Sequence, residues 1–536
     1  MHIRLTILTG FLLLFSTLRG QSLYLISFCD KGPTPVLTIE GLSPHTLARR
    51  AKQGLPPTDF YDLPLYPPYV QLIQPQVDSV RYTLRWLNAV SVLATPDQIQ
   101  EISSYPFVSE IMPLQQSLLI SEASPQERNI DTLLWMQRNL MQLDTLQGMG
   151  LTGEGVRIAI LDVGFEYADK HTGLAEVFEE ARILKTRDFY DGDKNVYHHD
   201  IHGTNVLACI AGKFRDGQWL GCAPKAEFLL ARTEHKAKEK PVEEDHWMAA
   251  VEWAYNEGAD ILNTSIGFVA QNNAFELLDG KTLPVCKAAQ IAVDKGMIVI
   301  SAMGNQGDRK KDYLNAPSDV PGVLSVGGSY PMIHESIKFS SVGPNAAGIL
   351  KPDISAPAFV VGLKKKEGYG EVAGTSYATP MIAGLVACLL QKEDSLHPSQ
   401  VSERLRKSGH FYPYFDYELG FGIAQAPQLF EEAPMCLDTT FDVRHVGDTI
   451  FVTFDEETML DTLAHPYGPN LHFHFQEPEG NLIAYKSFRM TNEDREYYFL
   501  LRRYIKGVLR IWFQGYLYEE IYGDPASLQK NGKQGQ

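Results

Sequence analysis

Three residue types that can cooperate in nucleophilic catalysis stand at widely separated points of this chain. Asp162 follows the apolar run Val156–Leu161, His202 opens "HGTNVLACIAG", and Ser376 opens "SYATPMIAGLVACLL". A serine hydroxyl attacks poorly until a base takes its proton. His202 is a candidate base, and Asp162 a candidate acceptor for the other ring nitrogen, fixing the tautomer and stabilising the imidazolium. Gly374, Thr375 and Ala378 around Ser376 are small enough for a substrate backbone to approach, and a helix start there points amide N–H groups at developing negative charge. Pro380 is expected to lie near enough to that start to be tolerated. Taken singly, the three have plain readings as a helix cap, a turn former and a satisfied polar residue, and they gain weight only together.

Residues so far apart need a scaffold that returns them to one place. Short apolar runs bounded by Gly and Asp recur at Val156–Gly164, Ala226–Arg232, Ala259–Gly267, Met297–Asn305 and Val323–Gly328. They alternate with helical stretches such as "HWMAAVEWAYNEG" and "VCKAAQIAVDKG", both closing on Gly. That pattern predicts an α/β domain over 136–430 with a doubly wound parallel sheet, whose ligands bind beyond the carboxyl ends of the strands. Upstream, strand-like runs at Ser22–Phe28, Tyr82–Val92 and Phe107–Met112 bracket helical stretches at Ser43–Gln53 and Pro96–Ser104. They predict a small α+β module that, with a polar linker at Ser121–Asn129, fills 21–125. Downstream, over 435–536, alternation of period two ("DTIFVTFD", "NLHFHFQEPEGNLIAYKSF", "GVLRIWFQG") predicts an antiparallel β-sandwich.

Composition narrows the class. The chain has 536 residues, 44% hydrophobic and 21% charged, with a net charge of −17, so it lacks the basic field that a nucleic-acid partner requires. "MHIRLTILTGFLLLFSTLRGQS" has a basic start, a short apolar stretch and a small-residue end, and reads as a signal peptide over 1–20. The expectation is a protein that is secreted, or periplasmic or at the cell surface, without a transmembrane segment. Six cysteines without ligand spacing imply no disulfide framework.

"ILDVG" around Asp162, "HGTNVLACIAG" around His202, "SAMGNQG" around Asn305 and "GTSYATPMIAG" around Ser376 resemble, in order and wording, the signatures of subtilisin-like serine peptidases. Asp–His–Ser is the known subtilisin chain order, so that assignment comes from the resemblance. "GCAPKAEF", "APSDVPGVLSVGG", "FSSVGP", "KPDISAP" and "GFGIAQA" extend it over about 136–430. The resemblance implies Ser376 as nucleophile, His202 as base then acid, Asp162 as orienting carboxylate, and Asn305 as oxyanion donor beside the Ser376 N–H. It further implies that Ser265, Ile266 and Gly267, with Ala302, Met303 and Gly304, bind the backbone of protein or peptide substrates and wall the specificity pocket. The module at 21–125 resembles the propeptides that chaperone and inhibit these enzymes, implying self-cleavage within Pro113–Asn129. The chain departs from the family at Asn205, where histidine is usual, and at Val163, where a small or hydroxyl residue is usual.

No cofactor is required by this chemistry. Structural calcium is allowed at the oxygen-rich "DFYDGDKN" (Asp188–Asn195), although an acidic surface turn is the favoured reading. In "YHHDIH", adjacent histidines on an extended loop are expected to point opposite ways, and His472 and His474 to lie on a partly exposed sheet face, so no metal site is assigned. The contrasting function is a catalytically inactive binding or scaffold protein on the same fold, which predicts replacement of at least one of Asp162, His202, Asn305 and Ser376. All four are present. A serine esterase would want GxSxG, which "GTSYA" does not fit.

Overall fold

The computed structural model describes residues 20–33, 41–114, 125, 128–235, 242–269, 274–307, 314–365, 367–430, 439–454, 470–478, 480–491, 493–500 and 506–522. The expected signal segment and most of the expected cleavage window fall outside them.

The N-terminal module comprises β1 (Ser22–Phe28), α1 (Pro44–Lys52), α2 (Pro67–Ile73), β2 (Ser79–Leu84), β3 (Ala89–Ala94), α3 (Pro96–Ile102) and β4 (Val108–Pro113). Its antiparallel sheet has the order β2-β3-β1-β4. The run expected as one strand over Tyr82–Val92 is a hairpin. The chain reverses at Arg85–Asn88, where Asn88 takes φ +48, a conformation asparagine tolerates better than most residues.

Beyond it come α4 (Ile130–Leu140), α5 (Asp144–Gly148), β5 (Arg157–Asp162), α6 (Ala175–Glu179), β6 (Ile183–Asp188), α7 (His202–Ala211), β7 (Glu227–Arg232), α8 (Val242–Asn256), β8 (Ile261–Thr264), α9 (Pro284–Asp294), β9 (Ile298–Ala302), β10 (Leu324–Ser329) and β11 (Ile354–Pro357). The seven strands form one sheet, β11-β10-β9-β8-β5-β7-β6, and every pairing is parallel. Strand order reverses beside β5, which places Asp162 at the switch point where such sheets open a crevice. β6 was not visible as an apolar run because it is an edge strand, and "ILKTRD" leaves most of its side chains partly or fully in solvent.

After β11 the hairpin β12 (Phe359–Lys364) and β13 (Gly368–Ala373) leads into α10 (Thr375–Lys392), then α11 (Pro398–Lys407) and α12 (Ala426–Phe430). α10 is buried from Thr375 to Leu390, hence its almost wholly apolar sequence. The "KPDISAP" stretch secures the β10–β11 edge with a buried ion cluster. Lys351 Nζ bonds the Val323 carbonyl (2.7 Å) and Asp353 Oδ2 (2.9 Å), while Arg406 Nε donates to Asp353 Oδ1 (2.9 Å). Those two cations pull the Asp353 carboxyl down to about 2 against the opposing effect of burial.

The C-terminal module holds β14 (Asp442–Val446), β15 (Thr449–Thr453), β16 (Asn470–Gln476), β17 (Leu482–Arg489), β18 (Glu496–Leu500), β19 (Gly507–Phe513) and β20 (Tyr516–Tyr522). Two antiparallel sheets, β14-β15-β18 and β17-β16-β19-β20, face one core that includes Ile450, Phe473, Phe499 and Ile511, as the alternation predicted. His472 and His474 depart from expectation: both are buried. They pack against Phe411, Tyr414 and Phe415 of the preceding domain, and His474 Nδ1 lies 2.8 Å from the Phe415 carbonyl. One face of β16 is therefore a docking surface, which an alternating pattern cannot distinguish from a solvated one. Among the described residues the cysteines are free thiols, and no helix is long and apolar enough to cross a membrane.

Asp353→Asn would leave Lys351 buried beside a neutral partner. Breaking a buried pair costs roughly 3–5 kcal/mol, so this variant should shift a denaturant unfolding midpoint strongly downward. With a folded carboxyl depressed to about 2, the contribution is present above about pH 4 and is lost as pH falls toward 2.

Candidate active site

Asp162 ends β5 with its side chain sealed from solvent. Its Oδ1 accepts from the Val163 N–H (2.8 Å) and lies 2.8 Å from His202 Nδ1, while its Oδ2 has no hydrogen-bond partner. Burial pushes the carboxyl above its ordinary value, and the His202 contact pulls the other way. The approach of α7 to β5 depends on Gly203. A Cβ there would sit 2.5 Å from the Gly164 carbonyl and 3.0 Å from Asp162 Cβ, so only glycine lets His202 reach the aspartate. The Asp200 carboxylate accepts the His202 backbone N–H (2.8 Å) and secures the helix entrance.

Ser376 is the second residue of α10, and its Oγ is buried without a partner. The His202 ring lies 5.2 Å from the ring of the adjacent Tyr377. Asn305 follows β9 and turns its Oδ1 onto the Thr375 N–H (2.9 Å) and hydroxyl (3.0 Å). That fixes which end of the amide donates elsewhere. A Cβ built on Gly374 would lie 2.8 Å from Ser376 Oγ and 3.4 Å from Asn305 Nδ2, so both atoms face the space that this glycine leaves open.

Pro380 proves to be the sixth residue of α10, beyond the position where a missing N–H is harmless. The bond it cannot make is to the carbonyl of Ser376, four residues back. Ser265 replaces it: its Oγ donates to Ser376 O at 2.8 Å and accepts from Asn263 Nδ2 at 3.1 Å. A residue expected to contact substrate is thus bonded to the backbone of the expected nucleophile. Its neighbours Ile266 and Gly267, and Ala302, Met303 and Gly304 at the end of β9 and just past it, are all buried. Gly304 has φ +114, and its N–H bonds Thr375 Oγ1 (3.3 Å).

The two departures from the family pattern have structural roles. Asn205 Oδ1 accepts the Leu363 N–H (2.6 Å) and ties α7 to β12, and Val163 is buried in the core cluster that contains Ile266 and Trp247. Sequence reasoning missed Glu234, buried just past β7, and Glu243, buried in the first turn of α8. Burial together with the neighbouring Glu243 and Asp162 charges holds the Glu234 carboxyl well above its ordinary value, and Glu243 Oε1 accepts the His235 N–H (3.2 Å). The signal was present in one acid past a strand end and another in an acidic helix start, yet each resembles an ordinary solvated acid.

The Asp188–Asn195 turn does not fit calcium. Asp188 Oδ1 accepts the Tyr190 and Asp191 N–H groups, and Arg232 Nη1 lies 2.7 Å from the carboxylates of both Asp188 and Asp191. A guanidinium stands where six to eight oxygens would have to converge. The histidines also differ from expectation. His198 and His199 have ring centroids 3.9 Å apart, because His199 adopts φ +74 and the segment is not extended.

Residues 153–422 match the model of the subtilase family, and residues 23–129 match a peptidase S8 propeptide domain found in Bacteroidota. Among curated proteins, serine protease AprX of Bacillus subtilis is 30% identical over 289 residues, a match covering 48% of this chain and 62% of AprX. Subtilisin DY of Bacillus licheniformis is 26% identical over 50% of this chain and 88% of its own length. The fold resembles the crystal structure of fervidolysin from Fervidobacterium pennivorans, with a TM-score of 0.56, 17% identity, and coverage of 92% of this chain and 71% of that one. The parallel sheet, the ordered motifs and these matches agree that the chain belongs to the subtilase family of serine peptidases and carries the family's propeptide domain.

Proposed function

We propose that this protein is a secreted serine endopeptidase, made as a precursor that cuts and then releases its own propeptide. The observation that carries the reading is the unpartnered, buried Ser376 Oγ, which shares the space above Gly374 with the Asn305 amide. An orphaned hydroxyl costs stability in a structure that has no use for it.

His202 takes the Ser376 proton as Oγ attacks the substrate carbonyl, and the imidazolium is stabilised through Nδ1 by the Asp162 carboxylate. Charge developing on the carbonyl oxygen is met by Asn305 Nδ2 and the Ser376 N–H, whose direction is set by the start of α10. His202 returns the proton to the leaving amine. Water then attacks the acyl-enzyme by the same route, and Ser376 Oγ is restored.

The propeptide reading rests on the docking of the N-terminal module. Arg81 Nε and Ser91 Oγ each donate to Asp245 at 2.7 Å, Glu252 accepts the Arg85 and Trp86 N–H groups, and Thr46 Oγ1 donates to the Tyr255 carbonyl. After β4, Leu114 enters the core cluster that holds Ile266. Past the expected cleavage window, Arg128 pairs with Glu371 (2.8 Å) and stacks over Phe359. Cleavage between these anchors leaves each piece held on the peptidase domain. The apolar leader supports export.

A fluorophosphonate probe should label Ser376 in the processed protein, and Ser376→Ala should remain full-length; an unlabelled processed protein, or normal maturation of the alanine variant, sinks the proposal. Asn305→Ala should mature and turn over roughly 10²–10³-fold more slowly, mainly in kcat, as expected for loss of one oxyanion donor.

Release of the cut propeptide should respond to Glu252. Burial raises this carboxyl from 4.5 to about 7, so the docked state holds a proton that the separated state loses, and docking weakens as pH rises from about 4.5 through 7. Asp245 shifts the same way, whereas His246, lowered to about 3 by burial, opposes it. Comparison with Glu252→Gln isolates the one group. The variant should release its propeptide roughly tenfold or more slowly than the natural protein at pH 8 and similarly at pH 4.5, checked by following the two fragments on size exclusion.

A further inference from the structure

The loop between β6 and α7 gathers imidazoles that peptide hydrolysis does not use. Ring nitrogens of His198 and His199 and a carboxylate oxygen of Asp191 lie within 4.8 Å of one another, and Asp188 and Asp193 form a second such set with the same His198. His199 Nε2 is 3.2 Å from Asp191 Oδ2. Although the His198 ring is partly exposed, its Nδ1 is shielded from solvent and bonds nothing, a poor state for a polar atom unless a ligand completes it.

We infer that Asp191, His198 and His199 form a binding site for a borderline divalent transition-metal ion such as Zn²⁺. Two imidazoles and one carboxylate are a donor set such ions favour, with water completing a tetrahedron. This is a different chemistry from the all-oxygen cage that the Arg232 guanidinium rules out. Charge also suits it: Asp188, Asp191 and Asp193 supply three carboxylates beside the Arg232 guanidinium and Lys194, and Asp191 meets both Arg232 and His199 through Oδ2.

The site stands close to the expected base. His202 lies three residues past His199, and its N–H is held by Asp200 Oδ1. On the other side the segment presses on Gly164, where a Cβ would meet the His198 carbonyl at 2.5 Å. An ion at this point clips the β6–α7 loop onto the segment that sets His202. Binding the folded chain in preference to the unfolded one, it raises stability in proportion to RT ln(1 + [Zn²⁺]/Kd).

The test uses full-length Ser376→Ala protein, titrated with ZnCl₂ by calorimetry and followed by thermal unfolding. One Zn²⁺ per chain should bind with a dissociation constant in the micromolar range and raise Tm, whereas MgCl₂ and CaCl₂ should not. His199→Gln and Asp191→Asn, each checked for an unchanged Tm without metal, should weaken Zn²⁺ binding at least tenfold; His202→Ala should not. No binding at 100 µM ZnCl₂, or binding that survives His199→Gln and disappears in His202→Ala, overturns the assignment. These readouts do not use turnover, so they stand whether or not the peptidase reading holds.

Discussion

A carboxylate with no access to water must be hydrogen-bonded or neutral, and the Asp162–His202 contact is how this fold meets that demand. The acid is fixed at the end of β5 by the sheet, so the histidine must come to it. The close pass of Gly203 under Gly164 and the hydrogen bond from the His202 N–H to the Asp200 carboxylate both serve that approach. Burial and the imidazole act on the same carboxyl in opposite directions. The imidazole contact thus partly offsets the desolvation of a carboxyl that is sealed from solvent.

A second constraint comes from Pro380. The proline removes the N–H that would hold the Ser376 carbonyl, and Ser265, brought in from the end of β8, supplies the missing donor. The first turn of α10 is thereby fastened to the central sheet instead of relying on its own helical bonds. Asn305, held by Thr375, fastens the same turn from β9. Three neighbouring strands, β5, β8 and β9, thus each contribute one anchor to the crevice.

The strands lying in the middle of the sheet were legible because burial on both faces forces continuous apolar runs, as at Val156–Leu161 and Met297–Ala302. β6 at the edge, and the short β11 within "KPDISAP", were not, since a strand with a solvated face or four residues carries little pattern. The candidate triad was legible from strand and helix ends together with a resemblance. The roles of Ser265 and Asn205 were not, because they depend on which backbone groups lose their partners, and that is a property of the assembled fold. The histidine pair failed for a simpler reason: positive φ at His199 defeats any argument from extended geometry.

Apolar packing and buried polar contacts share the face between the N-terminal module and α8, where Leu25, Leu84 and Trp86 lie in one core cluster with Trp247, Val251 and Tyr255. Asp245 and Glu252 are buried there, yet they meet an arginine, a serine and backbone N–H groups. An interface built for permanence gains more from apolar packing, because burying carboxylates costs desolvation that hydrogen bonds only partly offset. Asp245 and Glu252 are the groups on this face that would regain most hydration if it met water. The docking face of β16 is the contrast. There His472, Trp512 and Phe411 make an aromatic seam with few ionic contacts. Both flanking modules thus rest on apolar packing and differ in what accompanies it, buried carboxylates at the N-terminal module and a smaller aromatic cluster at the C-terminal one.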